Sequence, residues 1–328
     1  MRFGIIGAGR IGKIHAANVA ARRDCEVRLI ADADPAAAKA LAEATGGRVA
    51  EIDAILASAD IDAVAICAPT DMHADLIERA ARARKAIFCE KPVDLDATRV
   101  RACLDVVTQT GAALMVGFNR RFDPNFAALQ KRLRDGAIGA LEIVAITSRD
   151  PGPPPVSYIA RSGGLFRDMM IHDFDMARFL LGEEPVSVSA MGSALVDKAI
   201  GEAGDVDTAV VIMETKSGKV AQISNSRRAA YGYDQRVEVH GSKGMIRADN
   251  IRETSVEFAG AQGFVSDKAL DFFLERYAAA YRDELDAFVE AVTAGVEPRP
   301  SGEDGLRANL LADAANLSWR TRQRVAVG

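Results

Sequence analysis

The 328-residue chain contains only four histidines, His15, His73, His172 and His240, so the search for a general base active near neutral pH is short. His172 lies four residues after Asp168, in Gly163-Gly164-Leu165-Phe166-Arg167-Asp168-Met169-Met170-Ile171-His172-Asp173-Phe174-Asp175. This pattern predicts a helix, and a spacing of four puts both side chains on one helix face. A carboxylate there orients an imidazole and favours its protonated form, as suits a base that accepts an alcohol proton. Spacing alone equally allows an ordinary surface ion pair. His73 follows Ala68-Pro69-Thr70-Asp71-Met72, at the C-terminal end of a strand-like run, where open α/β sheets gather their ligands. A helix-capping role is the other reading of His73. His15 fits a plain helix residue, and His240 a surface or packing position beside a turn. Glu90-Lys91-Pro92 closes a further strand-like run. A lysine ammonium at that edge would bind a substrate hydroxyl and lower its pKa. A solvated strand-end lysine is the competing reading.

A second chemistry is written at the N-terminus. Gly7-Ala8-Gly9-Arg10-Ile11-Gly12 follows the first apolar run and opens the first helical one. In such a loop the first glycine permits a tight turn, the second lets backbone approach a pyrophosphate, and the third lets helix and strand pack closely. The helix N-terminus then faces the negative charge. Asp32 ends the next strand-like run, 20 residues after Gly12, where a carboxylate can bind both ribose hydroxyls of NAD. It is followed by Ala33 and Asp34 rather than an arginine, which predicts NAD over NADP. A solvated acidic turn is the competing reading of Asp32.

The elements that must position these groups follow from patterning. Over the first 120 residues, short apolar runs at 3–6, 27–31, 63–67, 86–89 and 113–116 alternate with Ala-rich helical stretches at 12–21, 35–44 and 74–83. Strand–helix alternation implies a doubly wound parallel sheet covered on both faces. After Gly117 the strands lengthen, at 142–148, 186–191, 208–215, 220–226 and 235–240, with glycine-containing hairpin turns at 216–219 and 241–244. Helices are expected near 166–181, 277–294 and 302–321. The fold class is therefore α/β. A Rossmann domain is expected over 1–118 and an α/β domain on a large open, mostly antiparallel sheet over 119–328. The run Pro151–155 reads as a stiff loop at the edge of a site. There are no internal repeats.

With 49% hydrophobic and 27% charged residues, the composition is that of a globular protein. A formal charge of −5 disfavours nucleic acid and anionic membrane as partners. No apolar run approaches the roughly 20 residues of a membrane span, and Met1-Arg2-Phe3-Gly4 enters a strand without a signal peptide, so a cytoplasmic location is expected. Cys25, Cys67, Cys89 and Cys103 are scattered and form no close pair, so they read as structural thiols and no metal site is expected.

Together, the glycine loop, Asp32, the Glu90-Lys91-Pro92 triplet and the Asp168/His172 pair resemble the glucose–fructose oxidoreductase / inositol dehydrogenase / rhizopine-catabolism (Gfo/Idh/MocA) family over essentially the whole chain. Within it, Gly117-Phe118-Asn119-Arg120-Arg121-Phe122-Asp123, Ile171-His172-Asp173-Phe174-Asp175 and Tyr231-Gly232-Tyr233-Asp234 are most similar to bacterial inositol 2-dehydrogenases. The resemblance implies NAD-dependent oxidation of myo-inositol, or a close isomer, to the 2-keto form. It implies Lys91, Asp168 and His172 as the catalytic set, with His172 as base. Ala68, Pro69, Thr70, His73 and Glu90 would line the cofactor side, and Arg120 and Tyr233 would contact the polyol, with the Arg149-Asp150 loop a further candidate. It also implies a homo-oligomer, a tetramer or dimer, assembled through the open sheet. Relatives with the same set oxidise glucose, xylose and other sugars, so an aldose or polyol dehydrogenase is the alternative. A non-enzymatic nucleotide-sensing regulator would have no need of an intact Lys/Asp/His set.

Overall fold

Continuous apolar runs become central strands of a parallel sheet because both their faces are covered. The computed structural model describes residues 1–328 apart from Ala160. Its first sheet comprises β1 (Arg2–Ile6), β2 (Glu26–Ala31), β3 (Arg48–Val49), β4 (Ala63–Ile66), β5 (Ala86–Glu90) and β6 (Leu114–Gly117). They lie in the order β3-β2-β1-β4-β5-β6 and all pair in parallel. Val64, Ala65, Ile66, Ile87 and Phe88 are wholly buried. The strand order reverses between β1 and β4, and beyond the carboxyl ends of such a pair lies the ligand crevice of doubly wound sheets. The five expected strands all form. The two-residue β3 is too short to carry a periodic signal.

The chain divides into two compact units, Met1–Asn119 with Ala280–Asn309, and Arg120–Ala279 with Leu310–Gly328. The sequence expectation assigned all of 119–328 to the second domain, but residues 280–309 return to the first. The cause is apolar. Phe288, on the helix Ala278–Ala294, packs its ring against Phe3 and Phe88 at centroid distances of 6.1 and 5.8 Å. Leu285 on the same helix is also wholly buried. Each such side chain contributes about 1.5–3 kcal/mol on burial. Further along, the Pro300 carbonyl accepts from the Val116 N–H at 2.9 Å, which ties the returning segment to β6.

The second unit is built on β7 (Leu141–Arg149), β8 (Pro185–Ser193), β9 (Thr208–Thr215), β10 (Val220–Ser226), β11 (Asp234–Gly241) and β12 (Gly244–Ala248). A separate hairpin of β13 (Glu257–Gly260) and β14 (Gly263–Ser266) follows, and β15 (Val325–Ala326) closes the main sheet. The order is β12-β11-β7-β10-β9-β8-β15. All pairs are antiparallel except β7 with β10. Along β9 and β11 buried and exposed residues alternate, so one face is covered. Cross-strand register puts Ile143, Met191, Val210, Ile212 and Met245 on the opposite face, where all five are exposed. The hairpin turns expected at 216–219 and 241–244 join β9 to β10 and β11 to β12.

The single helix expected over 166–181 is instead two, Gly164–Asp168 and Ile171–Leu181. The Met170 N–H reaches back five residues to the Leu165 carbonyl, and the Asp173 and Phe174 N–H groups both return to Met170. The hydrogen-bond ladder therefore shifts register between Asp168 and His172. Among the described residues, no helix is long and apolar enough to cross a membrane.

Candidate active site

In the first unit, the three loop glycines differ in what demands them. Gly7 adopts φ +104°, and a Cβ there would overlap the Cys67 carbonyl at the end of β4. A Cβ on Gly12 would overlap the Gly7 carbonyl. Around Gly9 a Cβ meets nothing within 4 Å. Packing within the chain thus requires the first and third glycines, while the second keeps backbone bare toward open space. Gly9 is also the N-cap of the helix Arg10–Ala21, with the exposed Arg10 and half-buried Ile11 in its first turn. Asp32 closes the loop from the tip of β2. Its Oδ2 accepts from the Ala8 N–H at 2.5 Å and its Oδ1 from the Asp34 N–H at 2.8 Å. A dinucleotide fits this cradle, with the helix N-terminus and bare backbone for a pyrophosphate and a fixed carboxylate beside it for ribose hydroxyls.

His73 begins the helix His73–Arg82 and is only 2% exposed. Its Nδ1 lies 2.7 Å from the Pro92 carbonyl oxygen and its Nε2 2.8 Å from the Ala68 carbonyl oxygen. Neither the simple helix cap nor a ring nitrogen presented to a cofactor describes it. It supports the loops from beneath, whereas Pro69 is exposed and Thr70 half-buried above it.

Lys91 follows β5 directly and is half-buried, with a cis bond to Pro92. Glu90 before it is held by His15, whose Nε2 lies 2.7 Å from Glu90 Oε1. His15 is therefore not a plain helix residue. It is wholly buried, with its ring against Phe88 and Tyr281. Glu284 brings a third ionisable group to the pair, the side-chain donor atoms all lying within 4.8 Å of one another. His240 stands on the surface beside Glu142, as expected. All four cysteines are free, and burial raises the Cys67, Cys89 and Cys103 thiols, the last to about 12, which disfavours their thiolate forms.

In the second unit, Asp168 ends one short helix and His172 lies in the first turn of the next, both half-buried. Asp168 Oδ1 accepts from the Tyr158 hydroxyl at 3.0 Å and Oδ2 from Arg227 at 3.2 Å. Sequence reasoning missed both partners. Arg227 follows β10 and is distant in sequence. Tyr158 lies just beyond the Pro151–155 run, which marked the loop but not the side chain.

Arg120 and Tyr233 do come together, both against Tyr277. The Arg120 guanidinium lies 5.7 Å from the Tyr277 ring centre, and the Tyr233 ring meets it edge-on at 6.0 Å. Arg120 also pairs with the wholly buried Asp173, which in turn accepts from Asn225 at 2.8 Å. Burial pushes the Asp173 carboxyl up, opposed by Arg120, and pushes the Tyr233 hydroxyl well up. Asp150 is raised to about 6, mainly by burial, against the pull of Arg227 and Arg120. Its neighbour Arg149 bonds the Tyr231 hydroxyl at 3.0 Å.

Comparison with known proteins agrees with this geometry. Residues 1–118 match the model "Oxidoreductase family, NAD-binding Rossmann fold", and residues 126–247 match "GFO/IDH/MocA C-terminal domain". The chain is 62% identical over 327 residues to an inositol 2-dehydrogenase of Rhizobium meliloti (strain 1021), covering 100% of this chain and 99% of that one. It superposes with a TM-score of 0.97 on a myo-inositol dehydrogenase of Corynebacterium glutamicum, 46% identical, covering 100% and 99% of the two chains. Against a Lactobacillus casei scyllo-inositol dehydrogenase solved with NAD(H) and scyllo-inositol, the TM-score is 0.93 at 31% identity, covering 100% and 99%. With both units matched in order and the cradle built for a dinucleotide, the chain belongs to the Gfo/Idh/MocA family of oxidoreductases and uses NAD as its cofactor.

Proposed function

We propose that this oxidoreductase converts myo-inositol, or a close inositol isomer, to the 2-keto-inositol. The observation that carries this reading is the 62% identity, end to end, with an inositol 2-dehydrogenase. Relatives at lower identity are likewise named for myo- or scyllo-inositol.

In this reading Lys91, Asp168 and His172 form the catalytic set. Bound NAD supplies the hydride acceptor. The Lys91 ammonium hydrogen-bonds the reacting hydroxyl and stabilises its developing negative charge. His172 removes the hydroxyl proton, and Asp168 stabilises the positive charge that His172 then carries. Asp168 is itself held by Tyr158 and Arg227, which keeps its carboxylate in one orientation. Lys91 provides the positive charge that a metal ion provides in other alcohol dehydrogenases, so the set needs no metal. Arg120 and Tyr233 face the polyol, with Asp150 nearby in the same unit.

The substrate reading is tested by NAD reduction with myo-inositol, scyllo-inositol, glucose and xylose. A highest kcat/KM for an inositol supports it, and turnover of an aldose alone contradicts it. The exposed apolar face of the second sheet, carrying Ile143, Met191, Val210, Ile212 and Met245, supports assembly into a homo-oligomer through that face.

A further inference from the structure

Two buried histidines bracket Lys91. On one side, its predecessor Glu90 accepts from His15 Nε2 at 2.7 Å. On the other, its successor Pro92 accepts through its carbonyl from His73 Nδ1, also at 2.7 Å. Neither histidine belongs to β5. His15 comes from the helix Arg10–Ala21 and His73 from the helix His73–Arg82.

Both rings are themselves fixed. His15 is clamped by Phe88 and Tyr281 at centroid distances of 4.6 and 5.7 Å. The second nitrogen of His73 lies 2.8 Å from the Ala68 carbonyl oxygen, just after β4. Glu90 is also confined from the far side. Gly117 lies opposite it on β6, and a Cβ there would come within 3.2 Å of the carboxylate. A core filler would need none of this polar matching, and leucine or phenylalanine would occupy such sites at lower cost.

We infer that His15 and His73 are positioning residues for Lys91, acting through Glu90 and through the Pro92 carbonyl respectively. The inference rests on the reading of Lys91 as catalytic. Fixing the chain on both sides of a lysine limits where its ammonium can reach, and a misplacement of about 1 Å can cost 10²-fold in rate.

The test uses the full-length enzyme with NAD and the best substrate of the panel above. His15→Leu, His73→Leu and Lys91→Met are compared singly and with each histidine variant combined with Lys91→Met. Each single histidine variant is expected to lower kcat by about 10- to 100-fold, with NADH affinity by fluorescence titration held within about threefold. In the Lys91→Met background the same substitutions are expected to lower the residual rate by less than about twofold, because the group they position is gone. His15→Gln retains a donor toward Glu90 and is expected to recover most of the rate.

Equal losses with and without Lys91 would overturn the inference, as would loss of NADH affinity large enough to explain the whole drop. Near-native kcat in the single histidine variants, with Lys91→Met inactive, defeats the inference alone. Near-native kcat in Lys91→Met defeats the reading of Lys91 and the inference with it. If thermal melting shows that the leucine variants do not fold, His15→Asn, too short to reach Glu90, and His73→Gln, each alone and combined with Lys91→Met, carry the same comparison.

Discussion

Arg227 Nη2 donates to Asp168 Oδ2 at 3.2 Å from a position only 2% exposed, so a proposed catalytic carboxylate rests on a buried cation. Removing one member of such a pair leaves the other charge uncompensated. Arg227→Met is therefore expected to destabilise the protein by about 3 kcal/mol, the low end for a buried pair because Asp168 is partly exposed, and to lower kcat as well. Urea unfolding together with steady-state kinetics checks both. Unchanged values of each would show that Asp168 needs no such support.

The glycine loop separates folding from cofactor binding. Gly12→Ala forces a Cβ into the Gly7 carbonyl, so it is expected to lower the melting temperature of the protein without ligand. Gly9→Ala meets nothing within 4 Å and is expected to melt as the wild type does, yet to weaken NADH binding by at least about tenfold. Calorimetry and fluorescence titration distinguish the two. Native NADH affinity in Gly9→Ala would remove the pyrophosphate from this cradle.

Asp150 carries a pH signature. Burial raises its carboxyl to about 6, so the folded state holds this proton where the unfolded chain has released it. The stability that results is fully present below about pH 4 and is lost as pH rises through about 6. Asp150→Asn removes the titration. Relative to wild type, the variant is expected to gain up to about 3 kcal/mol between pH 4 and pH 7 and nothing further above that. Urea unfolding across this range measures it, and a pH-independent difference would contradict the assignment.

His172→Ala is expected to lower kcat by about 10²- to 10⁴-fold, the range for loss of a positioned general base. Dialysis against a chelator is expected to leave the wild-type rate unchanged, because the proposed mechanism draws its electrophilic charge from Lys91 and not from a metal. A near-native rate in the variant, or inactivation by chelation, would each count against the mechanism.

The legible features were those whose cause is local. Apolar runs such as 63–67 and 86–89 declared a sheet buried on both faces, and the glycine loop with Asp32 declared the nucleotide because strand, turn and helix are adjacent in sequence. The return of residues 280–309 was hidden, because an amphipathic helix does not say which core will take Phe288. The interruption between Asp168 and His172 was hidden too, since no proline marks it and the register shift at Met170 is a backbone event. His15 and Glu90 lie 75 residues apart and Arg227 lies 59 from Asp168. Such pairings are set by the tertiary fold, and nothing in residue type or spacing announces them.

Hydride transfer from C2 of an inositol to NAD, as proposed, can be followed by isotope. With myo-inositol deuterated at C2, the deuterium is expected on the reduced nicotinamide by mass spectrometry, alongside 2-keto-inositol. Unlabelled NADH formed from that substrate, or no NADH from any inositol, would contradict it.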